Sequence, residues 1–194
     1  TFATYQAIGN REDLSAMIFR IDPTDTPFMT GIDKTKASAV NHEWQTQALA
    51  AADGTNAQLE GDDAAADAAT ATVRKGNLCQ ISRKVPFVSG TQQAVDHAGR
   101  DDERVYQERL KGLELKRDME TILLQNQKKV TGDTTTARKT GAILSWIKTN
   151  SSTSGTDPGT SDGATSRTDG TQRAFTETQL KTVLSSIWTQ GGKP

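Results

Sequence analysis

The chain has 194 residues and a formal net charge of −1, so no electrostatic bias marks it as a dedicated nucleic-acid or membrane-surface binder. Hydrophobic residues make up 34% and aromatics 5%. That is too apolar for a wholly disordered chain and rather polar for a tightly packed enzyme, so burial is expected to be completed against partners. One cysteine, Cys79, excludes an intramolecular disulfide framework, and no run is apolar enough to span a bilayer.

Residues 1–35 read as an arm. Asn10 is a good N-cap, and Leu14, Met17, Ile18 and Ile21 recur at i, i+3, i+4 and i+7, predicting a short amphipathic helix stopped at Asp22-Pro23. The following Thr24 to Thr26 turn leads into Pro27 and two apolar anchors, Phe28 and Met29. Residues 36–90 alternate. Val40, His42, Trp44, Thr46 and Ala48 interleave with Asn41, Glu43, Gln45 and Gln47, the period of a strand. A second strand is expected over residues 72–88, with Pro86 suited to an edge. The segment between them is acidic and built of small residues, which predicts a long hairpin with a soft tip. Such a hairpin is marginal alone and is expected to be held by another subunit.

A turn or two of helix is expected over residues 92–98, followed by one long helix over residues 100–129. This run has no proline and a single glycine, Gly112. Asp101, Asp102 and Glu103 open it, and Lys128 and Lys129 close it. Val105, Leu115, Met119 and Ile122 share one face with Gly112; Tyr106, Leu110, Leu113 and Leu124 form a second. The helix therefore should meet more than one neighbour. Lys111, Glu114, Lys116, Arg117 and Asp118 predict surface or intersubunit ion pairs. Gly141 to Thr149 is a short apolar piece anchored by Trp146, and residues 150–172 read as an exposed Ser/Thr/Gly/Asp loop. Thr176 to Gln179 is a capping box opening a helix whose stripe is Leu180, Val183, Leu184, Ile187 and Trp188, capped by Gly191. That stripe has few partners left in the chain.

Chemical signatures are sparse. His42 and His97 lie on different elements without ligand-spaced cysteines or paired carboxylates, and neither GxxxxGK[ST] nor GxGxxG occurs. Gly159 to Gly163 has the GxSxG spacing but lies in a Ser/Thr/Gly/Asp-rich loop, so no nucleophile elbow is expected. Glu60, Asp62, Asp63 and Asp67 do not match an EF-hand spacing. Arg74, Lys75, Arg83 and Lys84 read as a solvated strand face rather than a phosphate site. No cofactor, metal or catalytic residue is expected.

Arm, long hairpin, long helix and second lobe follow one another here in the order seen in tailed-phage major capsid proteins of the Hong Kong 97-type fold. Particular stretches carry the resemblance: TFATYQAIGNREDLS, PTDTPFMTGI, HEWQTQAL, EGDDA, QISRKVPFVSGTQQAVDHAG, LKRDMETILLQNQ and GAILSWIKTN. The resemblance covers essentially the whole chain. It implies an α+β protein with an N-terminal arm (residues 1–35) and an extended loop lying across the adjacent subunit (36–90). A peripheral domain around the spine helix (91–130) and the start of an axial domain (131–194) would follow. Family members continue past the equivalent of the final GGKP, and with no initial methionine the chain is expected to be a trimmed product. The implied function is self-assembly, in the host cytoplasm, into hexamers and pentamers of an icosahedral virion shell. Packaged double-stranded DNA would be contacted non-specifically, and decoration, scaffolding or portal proteins are further partners, without a membrane. The intersubunit contacts expected are Phe28, Trp44, Leu59, Glu60, Arg83, Lys84, Arg104 and Arg117. The alternatives are another repeating virion component, of tail or decoration type, and a small soluble enzyme or binding domain.

Overall fold

A computed structural model describes residues 17–193. Its helices and strands are mixed, an α+β arrangement, and the chain divides into two compact units. One comprises the described residues up to Asp33 together with Ser82–Thr121. The other comprises Lys34–Ile81 and the residues from Ile122 onward.

In the first unit the long helix, α3 (Glu103–Leu124), is the main element. The Asp102 carboxylate opens it by accepting from the Val105 N–H at 3.0 Å. That bond, with a contact from Gln93, holds the Asp102 carboxyl below the usual carboxylate range. The helix stops five residues before Lys129, because the side chains of Asn126 and Gln127 are committed to other backbone segments. Ser89 caps the short α2 (Gly90–Ala94) through its hydroxyl.

The start of the arm helix, through residue 16, lies outside the described residues. Its expected continuation through Met17, Ile18 and Ile21 is not helical. Prolines at 23 and 27 bias the residues before them away from the α region, and so short a helix has little of its own to hold it. The two apolar anchors expected after the Thr24 to Thr26 turn lie in the single-turn α1 (Pro27–Gly31), with proline at its first position, where no donor is lost. Thr26 makes no side-chain cap. The cap comes from α3: the Glu120 carboxylate accepts the Phe28 and Met29 N–H groups, both at 2.8 Å. Glu120→Ala should therefore release α1 at a cost of about 1–2 kcal/mol. The readout is about tenfold faster hydrogen exchange at those two amides, with the α3 signal retained.

Leu110 and Leu113 of the second α3 stripe line a cleft of about 260 Å³ with Phe19, Ile21 and Thr24, so that described part of the arm lies along this face. At the head of α3, Glu103 is buried. It accepts from Gln107 Nε2 at 2.8 Å and pairs with Arg100, with His97 Nε2 at 3.9 Å. The Gln107 bond first, then Arg100, holds its carboxyl below the ordinary range against the opposing effect of burial.

The second unit contains the hairpin. β1 (Asn41–Thr46) pairs antiparallel with β2 (Val73–Leu78), Asn41 opposite Leu78 and Thr46 opposite Val73. The second strand is shorter than its alternation predicts, since residues 81–88 make no strand pairing. Arg138 Nε takes the Cys79 carbonyl at 2.5 Å and leads the chain away. Across the pair, Arg74 is bonded to Glu43, and Lys75 reaches the Ser161 carbonyl at 2.9 Å.

Large apolar side chains do not form the centre of this unit. Its buried residues are Gly76, Gly141, Ala142, Ser145, Pro158 and Gly163. Polar side chains stitch them together. The Asn77 amide bonds both backbone groups of Gly141, accepting at 2.8 Å and donating at 2.9 Å. Asn126 does the same to Arg167, at 2.9 and 2.6 Å. Each asparagine acts as a one-residue strand, satisfying a donor and an acceptor that burial would otherwise orphan. Gln127 Nε2 bridges the Gln80 side chain at 3.1 Å and the Thr140 carbonyl at 2.8 Å.

Gly141 to Thr149, expected as strand or helix, contains one 3₁₀ turn at Ile143–Ser145. Trp146 follows it as the aromatic anchor, 5.2 Å from Trp44 and with Lys129 Nζ 5.9 Å from its ring centroid. Its indole covers Gly163, where an added Cβ would sit 2.9 Å from the ring and φ is +73°.

Residues 150–172 contradict the expectation of a loop that cannot bury itself. Thr156 and Thr168 form a two-bond bridge at 3.0 and 2.9 Å, and Asp157 pairs with Arg167 at 2.7 Å. Gly155 and Gly170 allow the two backbone runs to touch. α4 (Glu177–Thr189) then opens on both bonds of the Thr176–Gln179 capping box, and Gly191 lies at φ +81° just beyond its end.

The turn after Val130 is closed by a bridge to Lys139 and organised by Asp133. One Asp133 oxygen accepts the Thr135 and Thr136 N–H groups at 2.7 Å each and the Thr135 hydroxyl at 2.8 Å. These bonds, the Thr135 N–H foremost, bring its pKa from the ordinary 3.8 down to about 2. A depressed carboxylate stabilises the fold fully above its unfolded pKa and loses that contribution as pH falls through its folded one. The turn is therefore expected to loosen between about pH 4 and pH 2. An NMR titration should place the Asp133 carboxyl midpoint near 2, and Asp133→Asn should remove this acid step.

Candidate assembly surface

The surface offers exposed apolar side chains rather than a cleft that gathers reactive groups. Among the described residues, no group of three or more His, Cys, Asp and Glu could hold a metal ion, and no helix is long and apolar enough to cross a membrane. Exposed large apolar residues instead recur up to Leu124 and again from Phe175 onward. Ile21 lies in the arm, Leu49 and Leu59 between the strands, Val85 and Phe87 after them, Val105 on α3, and Leu180 and Trp188 on α4. Singly such residues are ordinary on a monomer. In numbers, around a centre made of glycine, alanine and serine, they are surface awaiting cover.

The eight residues expected at subunit contacts fall into three situations. Leu59 and Glu60 sit at a turn within residues 47–72, a stretch exposed throughout, and Leu59 is 79% exposed. Arg83 and Arg117 are exposed, and neither side chain has an ion-pair partner among the described residues. The others are partly engaged within the chain. Phe28 is half-buried in α1, and its N–H is held by Glu120. Trp44 spends one face on Trp146 and remains 38% exposed. Lys84 bonds Asp118 at 2.8 Å, a contact that raises its pKa, and Arg104 bonds Glu108 at 3.1 Å. Of the ion pairs expected along α3, Lys111 to Glu114 forms at 2.8 Å, whereas Asp118 turns to Lys84.

Ile81, Val85 and Phe87 read in the sequence as strand residues, yet Phe87 is 91% exposed. Pro86 was the one local sign that pairing would fail there. On α4, Trp188 ends the apolar stripe 73% exposed, as expected of a helix with few partners in its own chain. Half-exposed α3, bare β1–β2 connection and uncovered α4 together leave apolar side chains that the described residues of the chain do not cover.

Subunits of that class build shells and filaments. The chain belongs to the SU10 major capsid protein family, whose family model matches residues 1–194. It is also similar to the major capsid protein of Escherichia phage Phieco32, 38% identical over 161 residues, a match covering 73% of this chain and 46% of that protein. The chain thus spans about half the length of the curated relative it matches.

Proposed function

We propose that this chain is a shell-forming subunit of a tailed-phage head, self-assembling into hexamers and pentamers of an icosahedral container for double-stranded DNA. The observation that carries this reading is the apolar surface left uncovered from Ile21 to Trp188 on a chain of a major capsid protein family. Burial completed between copies is the physical role such surface serves. The order of elements supports a Hong Kong 97-type organisation. Residues 1–35 are the arm, 36–90 the extended loop, 91–130 the peripheral domain with its spine helix, and 131–194 the start of the axial domain. Phe28, Trp44, Leu59, Glu60, Arg83, Lys84, Arg104 and Arg117 are the proposed contacts between subunits. The role is structural rather than catalytic, and the product is the virion shell, assembled in the host cytoplasm. Decoration, scaffolding and portal proteins are the further partners this reading allows, and the packaged DNA is touched without sequence preference.

Negative-stain microscopy of the purified full-length protein tests it, with closed shells as the expected result. Tubes or small rings would favour a tail or decoration component. A monodisperse monomer by light scattering, with residues 50–70 protected from protease, would overturn the assembly reading.

A further inference from the structure

Asp53, Asp162 and Asp169 are each followed by a glycine. That dipeptide has a chemistry of its own. With no Cβ on the second residue, its backbone nitrogen can approach the aspartate side chain and attack the carboxyl carbon. The attack requires local backbone freedom, and the three sites differ in it.

Two of them are locked. Gly163 is buried at φ +73° beneath the Trp146 indole. Beside it, Asp162 Oδ1 accepts the Ala164 N–H at 2.9 Å and the Thr160 hydroxyl at 2.8 Å. Gly170 faces backbone: an added Cβ would lie 2.4 Å from the Gly155 nitrogen, and the bridge between Thr156 and Thr168 pins the chain next to it. Asp53 and Gly54 are free by comparison. Both are exposed within residues 47–72, and a Cβ added at Gly54 would meet nothing within 4 Å. Among the described residues, the Gly54 N–H has no hydrogen-bond acceptor. What touches the pair is Thr55, whose hydroxyl at 2.6 Å and N–H at 2.8 Å both bond Asp53 Oδ1.

We propose that Asp53–Gly54 is a self-modification site at which the chain converts aspartate to isoaspartate. The Gly54 nitrogen bonds to Asp53 Cγ, and its proton leaves with the carboxyl hydroxyl as water, closing a succinimide ring. A second water then opens the ring on one side or the other. Cleavage between nitrogen and Cγ restores aspartate. Cleavage between nitrogen and the Asp53 main-chain carbonyl carbon leaves isoaspartate, with the backbone running through Cβ and Cγ and the carboxylate displaced. Net charge is unchanged, and no oxidant or reductant is consumed. The strand register from Asn41–Leu78 to Thr46–Val73 lies outside the altered stretch, so the fold is retained. The neutral carboxyl is the reactive form, because an ionised one has no hydroxyl to lose. The Thr55 bonds, the hydroxyl foremost, hold the Asp53 carboxyl below the usual carboxylate range and so slow the step near neutral pH.

Ageing the full-length protein in heavy-oxygen water tests the site, because each ring opening fixes one heavy oxygen that peptide mass spectrometry localises. Label at Asp53 is expected to accumulate about tenfold or more faster than at Asp162 and Asp169, which cannot reach the geometry of attack. Accumulation should be faster at about pH 5 than at about pH 8, as the neutral carboxyl becomes more populated. Gly54→Val, whose branched side chain crowds the attacking nitrogen, should lose most of the label. Equal label at all three aspartates, no label at Asp53, or undiminished label in Gly54→Val would overturn the site. None of these readouts requires shells to form, so the result is independent of the assembly reading.

Discussion

Gly155→Ala should cost about 3 kcal/mol or more and detach the segment that follows Trp146. An alanine Cβ at this position would lie 1.9 Å from the Thr168 carbonyl oxygen, and the opposing Gly170 has the same problem, 2.3 Å from the Ser154 carbonyl carbon. Both obstacles are backbone, which cannot rotate away as a side-chain tip can. The bridge between Thr156 and Thr168 would have to open, and with it the Asp157–Arg167 pair. Denaturant unfolding followed by tryptophan fluorescence should show the loss. Gly159→Ala is the internal control, since its Cβ would meet nothing within 4 Å and its φ is not positive; its effect should stay within about 0.5 kcal/mol. Equal behaviour of the two variants would mean that the close backbone contact at Gly155 does not form.

Removing residues 50–70 should have the opposite profile, abolishing shells while leaving the folded chain as stable as before. The excised residues are exposed throughout, and the strand register from Asn41–Leu78 to Thr46–Val73 lies entirely outside the cut. What remains between the strands is a loop of ordinary hairpin length. The helical signal of α3 and α4 and the Trp44–Trp146 contact should persist. Shells at the usual yield from the deleted chain would remove the loop from the assembly mechanism.

The elements legible in the sequence are those whose causes are local. Thr176 and Gln179 specify the start of α4 within four residues of one another. The acidic opening and long apolar periodicity of α3, and the alternation around Trp44, specify a helix and a strand in the same way. What could not be read depends on distant residues. Asn77 and Gly141 are 64 apart and Asn126 and Arg167 are 41 apart, and an asparagine announces nothing about a partner so remote. Residues 150–172 have the composition of a solvated loop, and their glycines look like freedom when two of them mark backbone in contact. The described end of the expected arm helix failed for the reverse reason. Its periodicity over Met17, Ile18 and Ile21 was real, but the cap that orders α1 comes from Glu120. Of the assembly surface, the exposed acidic stretch followed from composition. The intramolecular engagements of Trp44, Lys84 and Arg104 required the third dimension.

The amide-stitched centre of the second unit has a thermodynamic consequence. Heat capacity on unfolding rises with the apolar area exposed and falls with the polar area. A unit built on Asn77, Asn126, Gln127 and a few small residues therefore has a small heat-capacity change, and its stability curve against temperature is broad and shallow. In the assembly proposed above, the negative heat capacity of covering exposed side chains such as Leu59, Phe87 and Trp188 would appear on association rather than on folding.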